Sequence, residues 1–391
     1  MLWLMKDSER SGWRVAAVKF SMPCLAALLV GAAAPQALAA QDLHPASESE
    51  VIERLPERVR QPQASTPAVA AQTARRFIAQ ARQLADPRYL GRAQAVLSAW
   101  WDRPDAPPDL AVLQATIEQS RHEFAAARAT LERTLRRDPA NAQGWLTLAT
   151  IERVAGRYDQ ALAACDQVQK TGAALYGQAC RLETRSLLGH QDEAKSGFDA
   201  LLKAAGNNAV RAWLLSLAGE NDERAGRPQA AIAAYRTSLA LSADDYTALA
   251  LADLLLRESR FAEAITALDG RPESDAVQLR RAYAMKRLAD AKWRDLAQDL
   301  EQRFAALAER GDDPALHARE SALYWLWIEP DAAKAWAAAE ANLTLQKEPL
   351  DWWIAFTSAD AAGVVVAPLV RAVDQTGLVD ARLARWRGGK R

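Results

Sequence analysis

The chain has 391 residues, and its 49 Lys and Arg balance 49 Asp and Glu, giving a formal net charge of zero. That balance excludes a general electrostatic pull toward nucleic acid or an anionic membrane surface. Half of the residues are hydrophobic, which suits either a few ordinary domains or one long repeat array. Frequent Ala, Leu, Glu, Gln and Arg favour helix, and no Val/Ile/Thr alternation predicts a strand.

Residues 1–39 predict an export signal. Lys6, Arg10, Arg14 and Lys19 precede an apolar run from Cys24 to Ala34, and Ala37-Leu38-Ala39 supplies a small-x-small cleavage pattern. The run is shorter than the roughly 20 residues a spanning helix needs. Cleavage near Ala39 and delivery to the periplasm are therefore expected, with an uncleaved anchor as the other reading. Pro23 before Cys24 argues against lipidation, and Met5 is a second candidate start. Residues 40–69 are polar and carry Pro45, Pro56, Pro62 and Pro67, the composition of a flexible linker.

From residue 70 a small residue recurs. Ala93, Ala127, Ala161, Ala194, Ala231, Ala264, Ala297 and Ala337 form a ladder with a step near 34 residues. Three residues earlier stand Leu90, Phe124, Tyr158 and Phe261. Four residues later stand Leu97, Leu131, Cys165, Phe198, Tyr235 and Leu268. A small residue flanked by large ones is what two closely packed helices require. The clearest unit starts at Ala142 and reads Trp145-x-x-Leu148-Ala149, Ala155-Gly156-Arg157-Tyr158, then Ala161-x-x-x-Cys165. This pattern resembles the tetratricopeptide repeat, with Gly156, Gly189 and Gly226 at the turns between the two helices of a unit. The resemblance covers residues 70–350 and weakens over 271–316, where Glu301 replaces an apolar residue and the turn glycine is missing. Residues 351–391 read as one more helix pair, a cap and a basic tail.

The resemblance implies an all-α fold, a right-handed superhelix of about eight helix pairs. It also implies a concave groove lined by the first helix of each pair. On that pattern the groove candidates are Gln143, Thr147, Thr150, Arg153, Glu183, Trp213, Glu220, Glu223, Tyr246 and Asp253. The second half of this set is acidic with two aromatics, which suits an extended peptide or helix carrying basic side chains. Cys165 and Cys180 fall on neighbouring antiparallel helices of this architecture. Either a disulfide or two buried thiols fits them.

No catalytic constellation emerges. His44, His122, His190 and His317 have no partner at metal-ligand spacing and read as exposed turn or linker histidines. No nucleophile elbow or phosphate-binding glycine loop is present. No enzyme activity, metal, cofactor or small-molecule substrate is therefore expected. Trp325, Trp327, Trp336, Trp352 and Trp353 are either core filling or an aromatic ligand platform. The tail residues Arg382, Arg385, Trp386, Arg387, Lys390 and Arg391 form either a frayed helix end or the one point of membrane contact. The expected function is that of a periplasmic adaptor holding a peptide segment or envelope protein in its groove. The alternative is a structural subunit of an envelope assembly or export complex.

Overall fold

The structure is a computed structural model that describes residues 66–309 and 313–388. The expected signal segment, the linker up to residue 65, Cys24, His44, Lys390 and Arg391 lie outside the described residues. The first helix starts at Pro67, inside the stretch read as linker. There the Thr66 hydroxyl accepts from the Val69 amide at 3.4 Å and proline occupies the first turn, where its missing N–H costs nothing.

The described residues hold nineteen α-helices and no strand. Nine helix pairs follow in order. They are α1 (Pro67–Gln83) with α2 (Arg88–Leu97), α3 (Pro108–Ser120) with α4 (Phe124–Arg137), and α5 (Ala142–Val154) with α6 (Tyr158–Lys170). Next come α7 (Ala174–Leu187) with α8 (Gln191–Ala204), α9 (Asn208–Arg224) with α10 (Pro228–Leu241), and α11 (Asp245–Arg257) with α12 (Phe261–Ala267). The last are α13 (Asp275–Arg287) with α14 (Trp293–Glu309), α15 (Ala318–Trp327) with α16 (Ala332–Leu345), and α17 (Pro349–Ala361) with α18 (Ala367–Thr376). A final turn, α19 (Ala384–Arg387), closes the chain.

Each first helix packs on its own partner and on the first helix of the next pair, from α1 against α3 through to α15 against α17. The second helices make no comparable contact with one another. A stack joined on one side and splayed on the other curves toward the joined side. The concave surface therefore belongs to the first helices.

The alanine ladder is the joint. Ala93, Ala127, Ala161, Ala194, Ala231 and Ala264 are completely buried, and Ala297 nearly so. The eighth rung differs from the expectation. Ala337 is exposed, and Ala335 is the buried residue. Asp331 caps the Lys334 amide and fixes the start of α16 at Ala332, which puts the rung three residues in, as in α4, α6, α8, α10 and α12. In α14, Leu300 is fully buried and supplies the bulk that Glu301 lacks.

Gly156, Gly189 and Gly226 have φ of 72°, 93° and 71°, and they end the first helices of their pairs as expected. Where glycine is missing the chain still takes this left-handed conformation, at His122 (63°), Ser259 (59°) and Ala289 (59°). His122 is thereby drawn against Phe124, with ring centroids 5.5 Å apart. It is half-buried and its Nδ1 has no partner, so it is not the exposed turn histidine the sequence suggests. Burial lowers its pKa.

Cys165 and Cys180 form a disulfide that joins α6 to α7, with Cα atoms 5.5 Å apart. All five late tryptophans lie in or against one apolar cluster with Leu323, Ile354 and Phe356. Trp352 is 2% exposed, and Trp327 stacks on Tyr283 at 4.7 Å. The core reading of these residues holds.

Close helix approach makes a specific prediction at Gly219 in α9. A Cβ there would sit 2.6 Å from the ring of Tyr235, which is fully buried. Gly219→Ala is expected to destabilise the fold by about 1–3 kcal/mol through overpacking. A thermal melt of variant against wild type reads this out as a drop in Tm.

Candidate functional site

Position by position, the first helices present equivalent side chains to the concave face. Near their starts stand Gln143 in α5, Tyr176 in α7, Trp213 in α9 and Tyr246 in α11. Seven residues on stand Thr150, Glu183, Glu220 and Asp253. Seven residues is about two helical turns, so these are parallel rows across the stack, one flat and aromatic and the other largely acidic.

The aromatic row is open. Tyr246 is 52% exposed. Trp213 and Tyr176 are half-buried and stacked, with centroids 5.5 Å apart and planes inclined by 28°. Tyr176 was not among the sequence candidates; its signal was the same interval from its ladder alanine as for Trp213 and Tyr246.

The acidic row is neutralised by arginines from the same stack. Arg153 reaches Glu183 at 3.1 Å. Arg280 donates twice to Asp253, at 2.7 and 2.9 Å, and both side chains are buried. Glu223 is 8% exposed and is shared by Arg257 and Arg382, with Tyr235 donating to its other oxygen at 3.1 Å. Thr147 is fully buried, and its hydroxyl donates to the Gln143 carbonyl at 2.9 Å. Thr150 donates to Leu146 and accepts from Arg153. Thr147, Glu223 and Asp253 are thus part of the packing between helices, while Gln143, Thr150, Arg153, Glu183, Trp213, Glu220 and Tyr246 keep exposed surface.

Glu220, like Glu183, has a single arginine partner. Its ion partner, Arg224, lies at 3.3 Å. Desolvation pushes its pKa up to about 7; Arg224 opposes this, and the nearby charge of Glu183 adds to it. The charge of Glu220 in turn holds the Tyr246 hydroxyl well above the usual phenol range. Arg224 is 4% exposed and its Nη2 has no partner.

The feature least visible in the sequence is the C-terminal segment. It folds back on the turns that end the first helices. The Lys347 amide donates to the Val154 carbonyl at 2.7 Å, and the Val379 amide to the Leu187 carbonyl at 2.8 Å. Gln191 donates to the Val379 carbonyl at 3.0 Å. Side chains of Thr376, Val379 and Ala381 lie where Cβ atoms of Gly156, Gly189 and Gly226 would come within 3.1 Å. These glycines therefore serve the turn and the close approach together. Arg382 inserts between Glu223 (2.7 Å) and Asp380 (2.6 Å).

The arginines of the tail that lie among the described residues have acidic partners. Arg387 pairs with Asp374 at 2.5 Å, and Arg385 with Asp360 at 3.6 Å. Trp386 stacks on Phe356 at 4.9 Å and donates to Asp360 at 2.6 Å.

Stacked pairs with a buried small rung, a left-handed turn and an inner row of first helices decide the repeat type. The fold is a tetratricopeptide-type solenoid. No family model and no curated protein matches the chain. It is similar to a thermophilic TPR protein of Thermus thermophilus, at 19% identity over 51% of this chain and 100% of that one, with a TM-score of 0.38. A tetratricopeptide repeat protein of Parabacteroides merdae shares 15% identity over 59% and 93% of the two chains, TM-score 0.40. A Rap protein complexed with competence and sporulation factor shares 11% over 84% and 83%, TM-score 0.49. Among the described residues of this tetratricopeptide array, no group of three or more His, Cys, Asp or Glu is placed to hold a metal ion.

Two predictions follow from the ion pairs. Arg382→Ala leaves Asp380, which is completely buried as a side chain, as an uncompensated charge, and should cost about 3–5 kcal/mol. Chemical denaturation of the variant, with Asp380→Asn added to remove the stranded charge, checks it; the second change should recover much of the loss. Glu220 makes stability depend on pH. Its folded pKa lies above its ordinary value of 4.5, so between pH 4.5 and about 7 the unfolded chain releases a proton that the folded chain keeps. Stability contributed by this group therefore falls as pH rises through that window and levels off above it. In Tm against pH, Glu220→Gln should flatten this decline between pH 4.5 and about 7.

Proposed function

We propose that the chain is a non-catalytic adaptor of the periplasm that holds an extended segment of another envelope protein against its concave face. The observation that carries this reading is the row of open, flat side chains on successive first helices beside a partly satisfied carboxylate. Such a surface offers many equivalent contacts and no reacting group. The C-terminal segment already occupies the edge formed by the turns, which favours a single extended stretch of chain as partner over a folded domain.

The compartment rests on two supports. One is the basic, apolar and small-residue pattern of residues 1–39. The other is the Cys165–Cys180 bridge, since disulfides persist in oxidising compartments and are rare in the cytosol.

Photo-crosslinking in intact cells tests the reading. A photoreactive residue at Gln143, on the concave face, is expected to capture one dominant envelope protein, and the same residue at Thr237, exposed on α10, is not. Equal capture at both positions, or none at Gln143, overturns it. A stoichiometric complex captured from both faces would instead indicate a structural subunit. In the same material, alkylation without reductant should leave both cysteines unlabelled; free thiols in the exported protein would remove the second support for the compartment.

A further inference from the structure

The chain that leaves the last helix pair runs across three consecutive turns in the middle of the array. We propose that residues 376–382 act as a strap that fixes the spacing, and with it the curvature, of the third, fourth and fifth helix pairs. Unseating the strap would turn this stretch into an elastic stack.

Placement is the first support. Thr376, Val379 and Arg382 follow one another at three-residue intervals and meet the ends of α5, α7 and α9 in turn. Thr376 lies against Gly156. The Val379 amide donates to the Leu187 carbonyl at 2.8 Å, and its carbonyl accepts from Gln191 at 3.0 Å. Arg382 reaches Glu223 at 2.7 Å. Three residues of extended chain reach at most about 10–11 Å, and packed helix axes lie about 8–10 Å apart. The segment therefore spans each step between neighbouring first helices with little slack. Those helix ends cannot spread without breaking one of its contacts.

The second support is where glycine stands. In the first seven pairs the residue that turns the chain has positive φ throughout. It is Ala85, His122, Ser259 or Ala289 in pairs away from the strap, and Gly156, Gly189 or Gly226 in the three pairs beneath it. The turn alone thus accepts a side chain in this fold. Under the strap a Cβ would lie 3.1 Å from Thr376, Val379 or Ala381, so glycine marks the seat of a closely applied segment.

Anchorage is the third. Leu378 and Leu383 are fully buried and belong to the same apolar cluster as Leu187 and Phe356. Arg382 is pinned between Glu223 and Asp380. Among the described residues, no hydrogen bond or ion pair joins 376–382 to the sixth or seventh pair. A stack held only by neighbour contacts bends through small rotations summed over its repeats, and that freedom is left to the pairs beyond the strap. The strapped helices α5, α7 and α9 carry Gln143, Tyr176 and Trp213 near their other ends. Holding one end of α7 and α9 also holds the stacked rings of Tyr176 and Trp213 at the other.

Paired nitroxide labels on the full chain, with Cys24→Ser to keep labelling specific, test the strap by pulsed electron paramagnetic resonance. Labels at Gln160 and Ala230, exposed near the starts of α6 and α10, span the strapped pairs. Labels at Ala230 and Asp295, exposed near the starts of α10 and α14, span pairs without it. In wild type the first distance distribution should be the narrower. Asp380→Asn combined with Arg382→Gln removes the pin without stranding Asp380, and Glu223 keeps Arg257. This variant should broaden the Gln160–Ala230 distribution to the width of the other pair and leave the Ala230–Asp295 distribution unchanged. If it loses its helical circular dichroism, Gly226→Ala is read by the same criteria; it places an alanine in the conformation Ala289 already adopts and pushes on Ala381. Equal widths for the two label pairs in wild type overturn the proposal. So does a folded variant in which the strapped pair stays narrow, or one in which both pairs broaden together.

Discussion

Everything in this molecule depends on the close approach of two helices at a buried alanine. At each rung the second helix of a pair presents a methyl group to its neighbours, and large side chains on either side fill the remaining space. Tyr158, Phe198 and Tyr235 are at most 2% exposed in this role. A larger residue at the rung would separate the helices and open gaps around those side chains; interiors packed at crystal-like density respond strongly to such changes. Because each pair leaves an apolar face for the next, the contact propagates along the chain. Curvature then follows from the first helices touching in series while the second helices do not.

A consequence of that curvature is that the end of the chain comes back to its middle. The last pair and the segments flanking it meet the turns after α5, α7 and α9, between residues about 155 to 220 positions apart. Such contacts add what a nearest-neighbour stack lacks, a link between non-adjacent repeats. Tyr158 and Leu187, from the third and fourth pairs, belong to the same apolar cluster as Trp352, Phe356 and Leu383. The middle repeats and the C-terminal pair should therefore lose structure together, unlike the independent fraying available to the terminal repeat α1–α2.

Local features of the fold were legible because they are set by nearby residues. The alanine interval and the glycines at positive φ each act within one or two turns of helix. Reading failed where a helix start shifts the phase, as at α16, where the Asp331 cap moves the buried rung from Ala337 to Ala335. It failed again where a partner is distant. The arginine-rich end looks like a charged tail because Asp360, Asp374 and Asp380 are spread among apolar residues, and Glu223 lies 159 residues from Arg382. The concave candidates divide on the same principle. A helical projection finds which residues face inward, and it found Trp213, Glu220 and Tyr246. It does not find which of the inward acids already have an arginine.

That distinction governs what the inner surface can recognise. A bare row of carboxylates would attract any polycation, with an affinity that salt screens away. Here the arginines remove most of that charge, and what stays open is flat, weakly polar and repeated once per helix pair.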